Sequence, residues 1–147
     1  MTHNDSVEVI RAWWRLERAR ARFDAHLKQE TGVTGSQLAL LRIIDEHAPV
    51  SIRQLRDDLD WHPASLGQAI QRLENRGLVT VTNDPTDRRR RICHLTQAGG
   101  ELLTRTPLVG PVRLRTQPID PDDLTTMQRG FDLALTAFGF DEWSHDE

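Results

Sequence analysis

The stretch Asp84-Pro85-Thr86-Asp87-Arg88-Arg89-Arg90-Arg91-Ile92-Cys93-His94-Leu95-Thr96 leaves the backbone few choices. Proline presets φ, excludes the helical region for the residue before it, and sits between aspartates that bond their own backbone, so residues 84–87 read as a turn. Before the turn, Leu78 to Thr82 alternates apolar and polar positions with β-branched side chains; after it, Arg91 to Leu95 alternates again. Two such runs about one turn predict a β-hairpin with four consecutive arginines at its tip.

Four adjacent guanidinium groups repel one another and add little to the stability of a small domain, so an anionic partner is the economical explanation. A solvated hairpin whose arginines pair with Asp84 and Asp87 is the alternative that these residues alone leave open. The net charge of −3 excludes a generally basic, adhesive protein. Basic residues nevertheless concentrate in the middle third and acidic ones at the end. Lys28 is the only lysine, so almost every cation is a planar fork suited to phosphate and base edges, although high genomic GC content produces the same bias.

A chain of 147 residues is long enough for one domain with a hydrophobic core and an added oligomerisation element. No apolar run approaches the roughly 20 residues that span a bilayer, and Met1 to Val7 is polar, so the expectation is a cytoplasmic protein with no membrane partner. Cys93 is the only cysteine and lies in an alternating strand, which favours a small buried residue over a redox sensor. The six histidines are scattered without ligand spacing, so neither a metal site nor a cofactor is expected.

From Val7 to Gln29, Ile10, Trp13, Leu16, Ala19 or Arg20, Phe23 and Leu27 recur at helical steps, predicting a helix long enough to pack beyond its own domain. Arg11, Arg15, Arg18, Arg20 and Arg22 on its other faces, with Glu17 and Asp24, suit a solvated surface. Trp13 and Trp14 are neighbours and cannot share a face. One is expected in the core, the other at an interface or a small-molecule pocket. Thr34-Gly35-Ser36-Gln37 has the form of a capping box and starts a second, mostly buried helix through Leu38, Leu41, Ile44 and Asp45, with Leu40 and Ile43 thickening its apolar side. Val50 allows a short strand, and Ser51 to Gln54 opens a third helix with Ile52, Leu55 and Leu59 inward.

Asp60-Trp61-His62 is expected as a tight turn. Pro63 suits the first position of a fourth helix, which runs to Arg76 and stops at Gly77. Leu66, Ala69 or Ile70, and Leu73 form its buried side, leaving Ala64, Ser65, Gln68, Gln71 and Arg72 outward. Two short helices joined by a turn make a helix-turn-helix whose second helix presents small, hydrogen-bonding residues. Gly67 lies inside that helix at a cost of about 1 kcal/mol relative to alanine. After the hairpin, Thr96 caps a short fifth helix, Pro107, Gly110 and Pro111 interrupt it, and Asp120-Pro121-Asp122-Asp123 starts a last helix with Leu124, Met127, Phe131, Leu135 and Phe138 in one stripe.

The order helix, helix, short strand, helix, helix, basic hairpin predicts a mainly α fold with a small β-hairpin, a winged helix-turn-helix. The sequence here resembles the MarR family of bacterial transcriptional regulators. The family's wing motif, Asp-Pro-x-Asp-Arg-Arg followed by Leu-Thr-x-x-Gly, is matched by Asp84, Pro85, Asp87, Arg88, Arg89, Leu95, Thr96 and Gly99. Leu73 to Val79 matches the end of the recognition helix and the first wing strand. The resemblance covers residues 8–104 well and is weak from 106 onward.

It implies dimerisation helices at residues 1–33, a DNA-binding domain at 34–100, and further dimerisation helices with an acidic tail at 101–147. It further implies a homodimer acting, as a repressor, on a pseudo-palindromic operator. Carried over by position, His62, Pro63, Ala64, Ser65, Gly67, Gln68 and Arg72 meet the major groove of double-stranded DNA, and Arg88, Arg89, Arg90 and Arg91 the minor groove, with Asp87 orienting a wing arginine. His62 and Gly67 stand where the family usually has Ser or Thr, and Gln68 where Arg is common, so the base preference is expected to differ. The resemblance also implies a small aromatic or phenolic effector, for which Trp13, Trp14, Arg18, Arg22, His26 and Trp61 are the candidate residues. The cysteine near the chain start used by the family's peroxide sensors is lacking.

Elementary chemistry agrees on the DNA face, since Gln pairs with adenine edges, Arg with guanine, and arginines favour narrow minor grooves. An enzyme is disfavoured, because no phosphate loop, nucleophile elbow or HExxH occurs and the pairs Asp57-Asp58 and Asp122-Asp123 look like helix-end charges. Two alternatives remain: a winged-helix module that binds proteins, and an atypical MarR-like protein with weak DNA binding.

Overall fold

The computed structural model describes residues 3–59 and 63–144, and the side chains of His3, Pro63 and Ala64 are outside that description. The expected Asp60-Trp61-His62 turn, Trp61 and His62 as site residues, and the end of the acidic tail therefore lie outside the described residues. The chain divides into two compact units, residues 1–110 and 111–147.

The first unit contains α1 (His3–Thr31), α2 (Gly35–His47), β1 (Val50–Ser51), α3 (Ile52–Leu59), α4 (Pro63–Asn75), β2 (Val79–Asn83), β3 (Arg91–Leu95) and α5 (Gln97–Arg105). The capping box that starts α2 is formed: Gln37 N–H donates to Thr34 Oγ1 at 3.2 Å, and Thr34 N–H donates to Gln37 Oε1 at 3.0 Å. Leu38, Leu40, Leu41, Ile43 and Ile44 are all buried, so α2 is the central core helix. Also buried in this core are Leu27 of α1, Val33 just after it, Leu55 of α3, Leu66, Ile70 and Leu73 of α4, and Leu102 and Leu103 of α5. At the exit of α5, the Arg42 guanidinium of α2 donates to the carbonyls of Thr106 and Pro107 at 3.0 and 3.2 Å.

The three strands form an antiparallel sheet in the order β1-β3-β2. Cys93, on the central strand, is in register with Val50 on one side and Val81 on the other and is fully buried. Burial pushes its thiol up to about 11, outweighing the attraction of Arg91. This is the buried-residue reading; a reactive thiolate has no support at this position.

β2 begins at Val79, one residue later than the alternation suggests. Leu78 is occupied elsewhere: its N–H donates to Leu73 O at 3.0 Å, while Gly77, at φ +72°, donates to Glu74 O at 2.9 Å. These two bonds close α4 in a Schellman motif, which a glycine in the left-handed region accommodates without strain.

The wing tip consists of two consecutive turns. Asp87 N–H donates to Asp84 O at 3.3 Å, and Arg90 N–H to Asp87 O at 2.9 Å, placing Arg88 and Arg89 at the centre of the second turn. The Asp84 carboxylate accepts from Thr86 N–H at 2.9 Å and Thr86 Oγ1 at 2.8 Å, and its second oxygen lies 3.5 Å from the Arg90 guanidinium. The two Thr86 bonds, more than Arg90, hold the Asp84 carboxyl below the usual carboxylate range.

α1 runs longer than its apolar period predicts, and most of that stripe is not core. Ile10 is 46 % and Leu16 56 % exposed; only Leu27, near the C-terminus, is buried. Neither tryptophan is a core residue, contrary to the expectation for one of them. Trp13 is half-buried, Trp14 is 49 % exposed, and their rings meet at 4.7 Å and 53°. The reason is physical: a 29-residue helix is about 44 Å long, and α2 is 13 residues, so only the C-terminal end of α1 finds apolar surface.

The second unit holds a short 3-10 turn at Pro111–Arg115, α6 (Pro121–Ala137) and a further turn at Asp141–Trp143. Asp120 caps α6, its Oδ1 accepting from Asp122 N–H at 2.8 Å, and Gly139, at φ +76°, ends it. Within this unit Phe131, Leu133 and Leu135 remain exposed.

Two predictions follow from the wing. A thiol reagent at pH 8 should label Cys93 in the folded protein at least about 100-fold more slowly than in denaturant; equal rates would place the thiol outside the core. Because the Asp84 carboxyl is held low when folded, its contribution is present above the unfolded value near 3.9 and is lost as pH falls through the lower folded value. Asp84→Asn should therefore lower Tm at pH 7, and the gap to the unsubstituted protein should narrow below about pH 4. A gap that does not change with pH would remove the carboxylate's charge from the account.

Candidate nucleic-acid interface

Three elements of the first unit meet around one open concavity of about 890 Å3: one side of α3 from Ile52 to Asp58, Gly67 of α4, and the arginine-rich tip between β2 and β3. α3 starts where Ser51 Oγ accepts from Gln54 N–H at 3.0 Å, which turns Arg53, Gln54 and Arg56 towards the concavity. The tip contributes Arg89, Arg90 and Arg91, and α4 contributes Gly67. Asp57, Asp58 and Asp87 line the same space, so the surface is a mixed one in which cations outnumber anions.

The orientation of α4 follows from its apolar period. Leu66, Ile70 and Leu73 are at most 3 % exposed and anchor one side. Helical geometry then places Ser65, Gly67, Gln68, Gln71 and Arg72 on the solvent side, and all five are exposed. Gln68, Gln71 and Arg72, with Gly67, surround a second, shallower recess of about 500 Å3. Gln71 Nε2 donates to Asn75 Oδ1 at 3.2 Å; Gln68 and Arg72 offer an amide and a planar fork. Among the described residues, Gly67 is shared by both recesses.

Arg88, Arg89, Arg90 and Arg91 are all exposed. The arginine held by a carboxylate is Arg90, and its partner is Asp84. Asp87, expected to orient an arginine side chain, instead accepts from the Arg89 backbone N–H at 3.0 Å. It shapes the turn that carries Arg88 and Arg89 and leaves their guanidinium groups free of that carboxylate. The wing is pinned against α4 by Glu74, whose Oε2 accepts from Val81 N–H on the outer edge of β2 at 3.3 Å.

Of the sequence-derived contact residues, Ser65, Gly67, Gln68 and Arg72 lie together on α4 and Asp87 to Arg91 at the tip. His62 lies outside the described residues, as do the side chains of Pro63 and Ala64. Arg53, Gln54 and Arg56 were not anticipated. Their signal was the spacing of two arginines by three residues in a short helix, overlooked because its apolar residues account for the packing. Trp14, Arg18, Arg22 and His26, proposed for an effector, recur at four-residue steps and form one exposed stripe on α1, with Trp13 beside it. Among the described residues no group of three His, Cys, Asp or Glu could hold a metal ion, and no helix is long and apolar enough to cross a membrane.

The MarR family model matches residues 31–90, which span the second to fourth helices and the wing tip. The transcriptional regulator HosA of Escherichia coli O111:H- is 33 % identical over 78 residues, covering 53 % of this chain and 58 % of that protein. The chain spans about half the length of the curated relatives it matches. A crystal structure of the S. aureus MepR–DNA complex is similar with TM-score 0.63 at 17 % identity, covering 94 % of this chain and 99 % of that one. Sco3205 of Streptomyces coelicolor, a MarR family transcriptional regulator solved in complex with DNA, is similar with TM-score 0.63 at 20 % identity, covering 97 % and 92 %. With the wing motif, the α3–α4 arrangement and these similarities together, residues 31–90 of this chain are similar to the MarR family, and its winged helix-turn-helix fold is shared with the two solved structures.

Proposed function

We propose that the protein is a sequence-specific, double-stranded DNA-binding transcriptional regulator that works as a homodimer on a pseudo-palindromic operator, as a repressor. The observation that carries this reading is the exposure, side by side, of Gln68, Gln71 and Arg72 around one recess on α4 and of Arg89, Arg90 and Arg91 of the wing around an adjoining concavity. α4 enters the major groove, where Gln68, Gln71 and Arg72 reach base edges, and the wing arginines reach an adjacent, narrow minor groove. Arg53 and Arg56 lie where backbone phosphates pass. The solved DNA complexes of two structural neighbours support the same reading.

The homodimer is supported by the uncovered apolar residues of α1 and of α6, each exposed within its own unit. A two-fold dimer presents two α4 helices, so the half-sites are separated by one helical turn, about 10 base pairs. The effector part of the reading rests on the stripe Trp14, Arg18, Arg22 and His26 beside Trp13, in which aromatic surface and cations suit a small aromatic acid or phenol. A winged-helix protein-binding module would use the same surfaces, but four planar forks on a solvent-exposed tip match phosphate and groove better than they match protein.

Selection of bound sequences from a random duplex pool should return a pseudo-palindrome with half-sites about 10 base pairs apart; a pool that is not enriched would exclude specific DNA recognition. Arg89→Ala should weaken binding to the selected duplex and reduce the slope of log affinity against log salt by about 1, with dimer mass unchanged by light scattering. An unaltered slope would take Arg89 out of the contact set. In a titration with a panel of phenolic acids, quenching of tryptophan fluorescence together with release of DNA is expected from at least one compound. No response across the panel would remove the effector.

A further inference from the structure

We infer that Arg76 is a positioning residue that sets the separation of the two recognition helices: it ties the end of α4 to the end of α1, the helix through which the proposed dimer forms. This rests on the DNA-binding and homodimer reading, and it adds a residue that acts on half-site spacing without touching a base.

The tie is made at a helix end prepared for it. Gly32, at φ +74°, donates its N–H to Lys28 O at 2.8 Å, a left-handed cap that closes α1. The Thr31 carbonyl is then one of those that a helix end leaves without an intrahelical partner. Arg76 supplies the partner, its Nη2 donating to Thr31 O at 2.9 Å across 45 residues of chain. Its guanidinium also takes the space in which residue 32 would carry a side chain: a Cβ on Gly32 would stand 2.5 and 2.9 Å from the two terminal nitrogens. Gly32 thus serves twice, for the backbone turn and as the seat of a cation at the negative end of the helix dipole.

Position gives the bond its consequence. α1 meets the core through Leu27, and the Asp24 carboxylate lies against Gly35, the first residue of α2, where a Cβ would collide with Oδ1. Asp24 therefore holds α1 against the core helix, and Arg76 holds it to α4. Two attachments on different helices define an angle, where one would leave a pivot. Two residues before Arg76, Glu74 holds β2 through the Val81 N–H at 3.3 Å. The end of α4 is thereby joined to the wing and to α1 by side chains of opposite sign. In a two-fold dimer formed through the exposed apolar residues of α1, whatever fixes α4 relative to α1 also fixes the distance from one α4 to its copy. Arg76 is exposed and follows Arg72 by one helical turn, so a phosphate contact is the competing role, and salt dependence distinguishes the two.

The test uses the whole chain, the variants Arg76→Ala and Arg76→Lys, the duplex selected from the random pool, and copies of that duplex with one base pair added or removed between the half-sites. Affinities are measured by fluorescence anisotropy over a range of salt. Arg76→Ala should bind the selected duplex about threefold or more weakly. The loss is concentrated on that duplex, so the preference over the respaced ones shrinks by a similar factor while the slope of log affinity against log salt is unchanged. Arg76→Lys, whose ammonium still donates to a carbonyl, should recover most of the preference. Should Arg76→Ala melt below the assay temperature, Arg76→Met, which keeps the apolar stem and loses the donors, takes its place. An unchanged spacing preference in the folded variant overturns the inference, as does an equal loss on every duplex with a slope reduced by about 1, the mark of a lost phosphate contact. Failure of the unsubstituted protein to enrich any duplex, or to prefer one spacing, overturns the reading of a DNA-binding dimer itself and is seen before any variant is compared.

Discussion

The wing depends on a clasp of three hydrogen bonds at its base. Thr96 Oγ1 donates to Gly77 O at 2.6 Å and accepts from Gly99 N–H at 3.1 Å, while Thr96 N–H donates to Leu78 O at 3.1 Å. One threonine thereby joins the end of α4, the start of β2 and the first turn of α5. Gly99 permits this, because any side chain there would occupy the space of the Leu78 carbonyl. With the base closed, α4 and the wing leave the core at a fixed angle, and Glu74 fixes it further from the side of β2. The end of α4 and the wing are tied to one another through shared backbone partners, not through burial of either.

Electrostatics at the tip is arranged in the same economical way. Asp84 stabilises the first turn through Thr86 and holds Arg90; the Asp87 carboxylate stabilises the second turn by accepting from the Arg89 backbone N–H. Both carboxylates serve as turn formers, so Arg88 and Arg89 project from the second turn without a carboxylate partner from either. A chain with net charge −3 can in this way present a locally cationic edge. Asp57 and Asp58 line the same concavity as the tip and bring carboxylates to its α3 side.

Local chemistry made much of this visible in advance. The Thr34 and Thr96 caps, the glycine stop at Gly77, the Asp-Pro turn and the buried side of α4 all rest on interactions within a few residues, and each is found where the sequence places it. The divergences arise where partners are distant. Apolar period alone assigns α1 a buried stripe and a core tryptophan, but burial needs a second surface, and within its unit α1 has one only near Leu27. The start of β2 moved because Leu78 is drawn into the α4 cap. The arginine expected on Asp87 pairs with Asp84 because chain reversal brings residue 90 back over residue 84. The place of α3 was hidden because Arg53 and Arg56 come to line one concavity with Gly67 and the wing tip only when α3, α4 and the wing meet.

The sequence by itself determined the elements, their caps, the helix-turn-helix order and the cationic hairpin, since propensity, turn chemistry and 3.6- or 2-residue periods are local properties. Tertiary structure alone decided which carboxylate holds which arginine, which apolar faces remain uncovered, and that Gly67 sits between two recesses. Those are relations between residues far apart in the chain, and no local pattern encodes the space between them. The four arginines were legible as a charge run from the outset; that Arg89, Arg90 and Arg91 share a concavity with α3 and α4 is a property of the packed molecule.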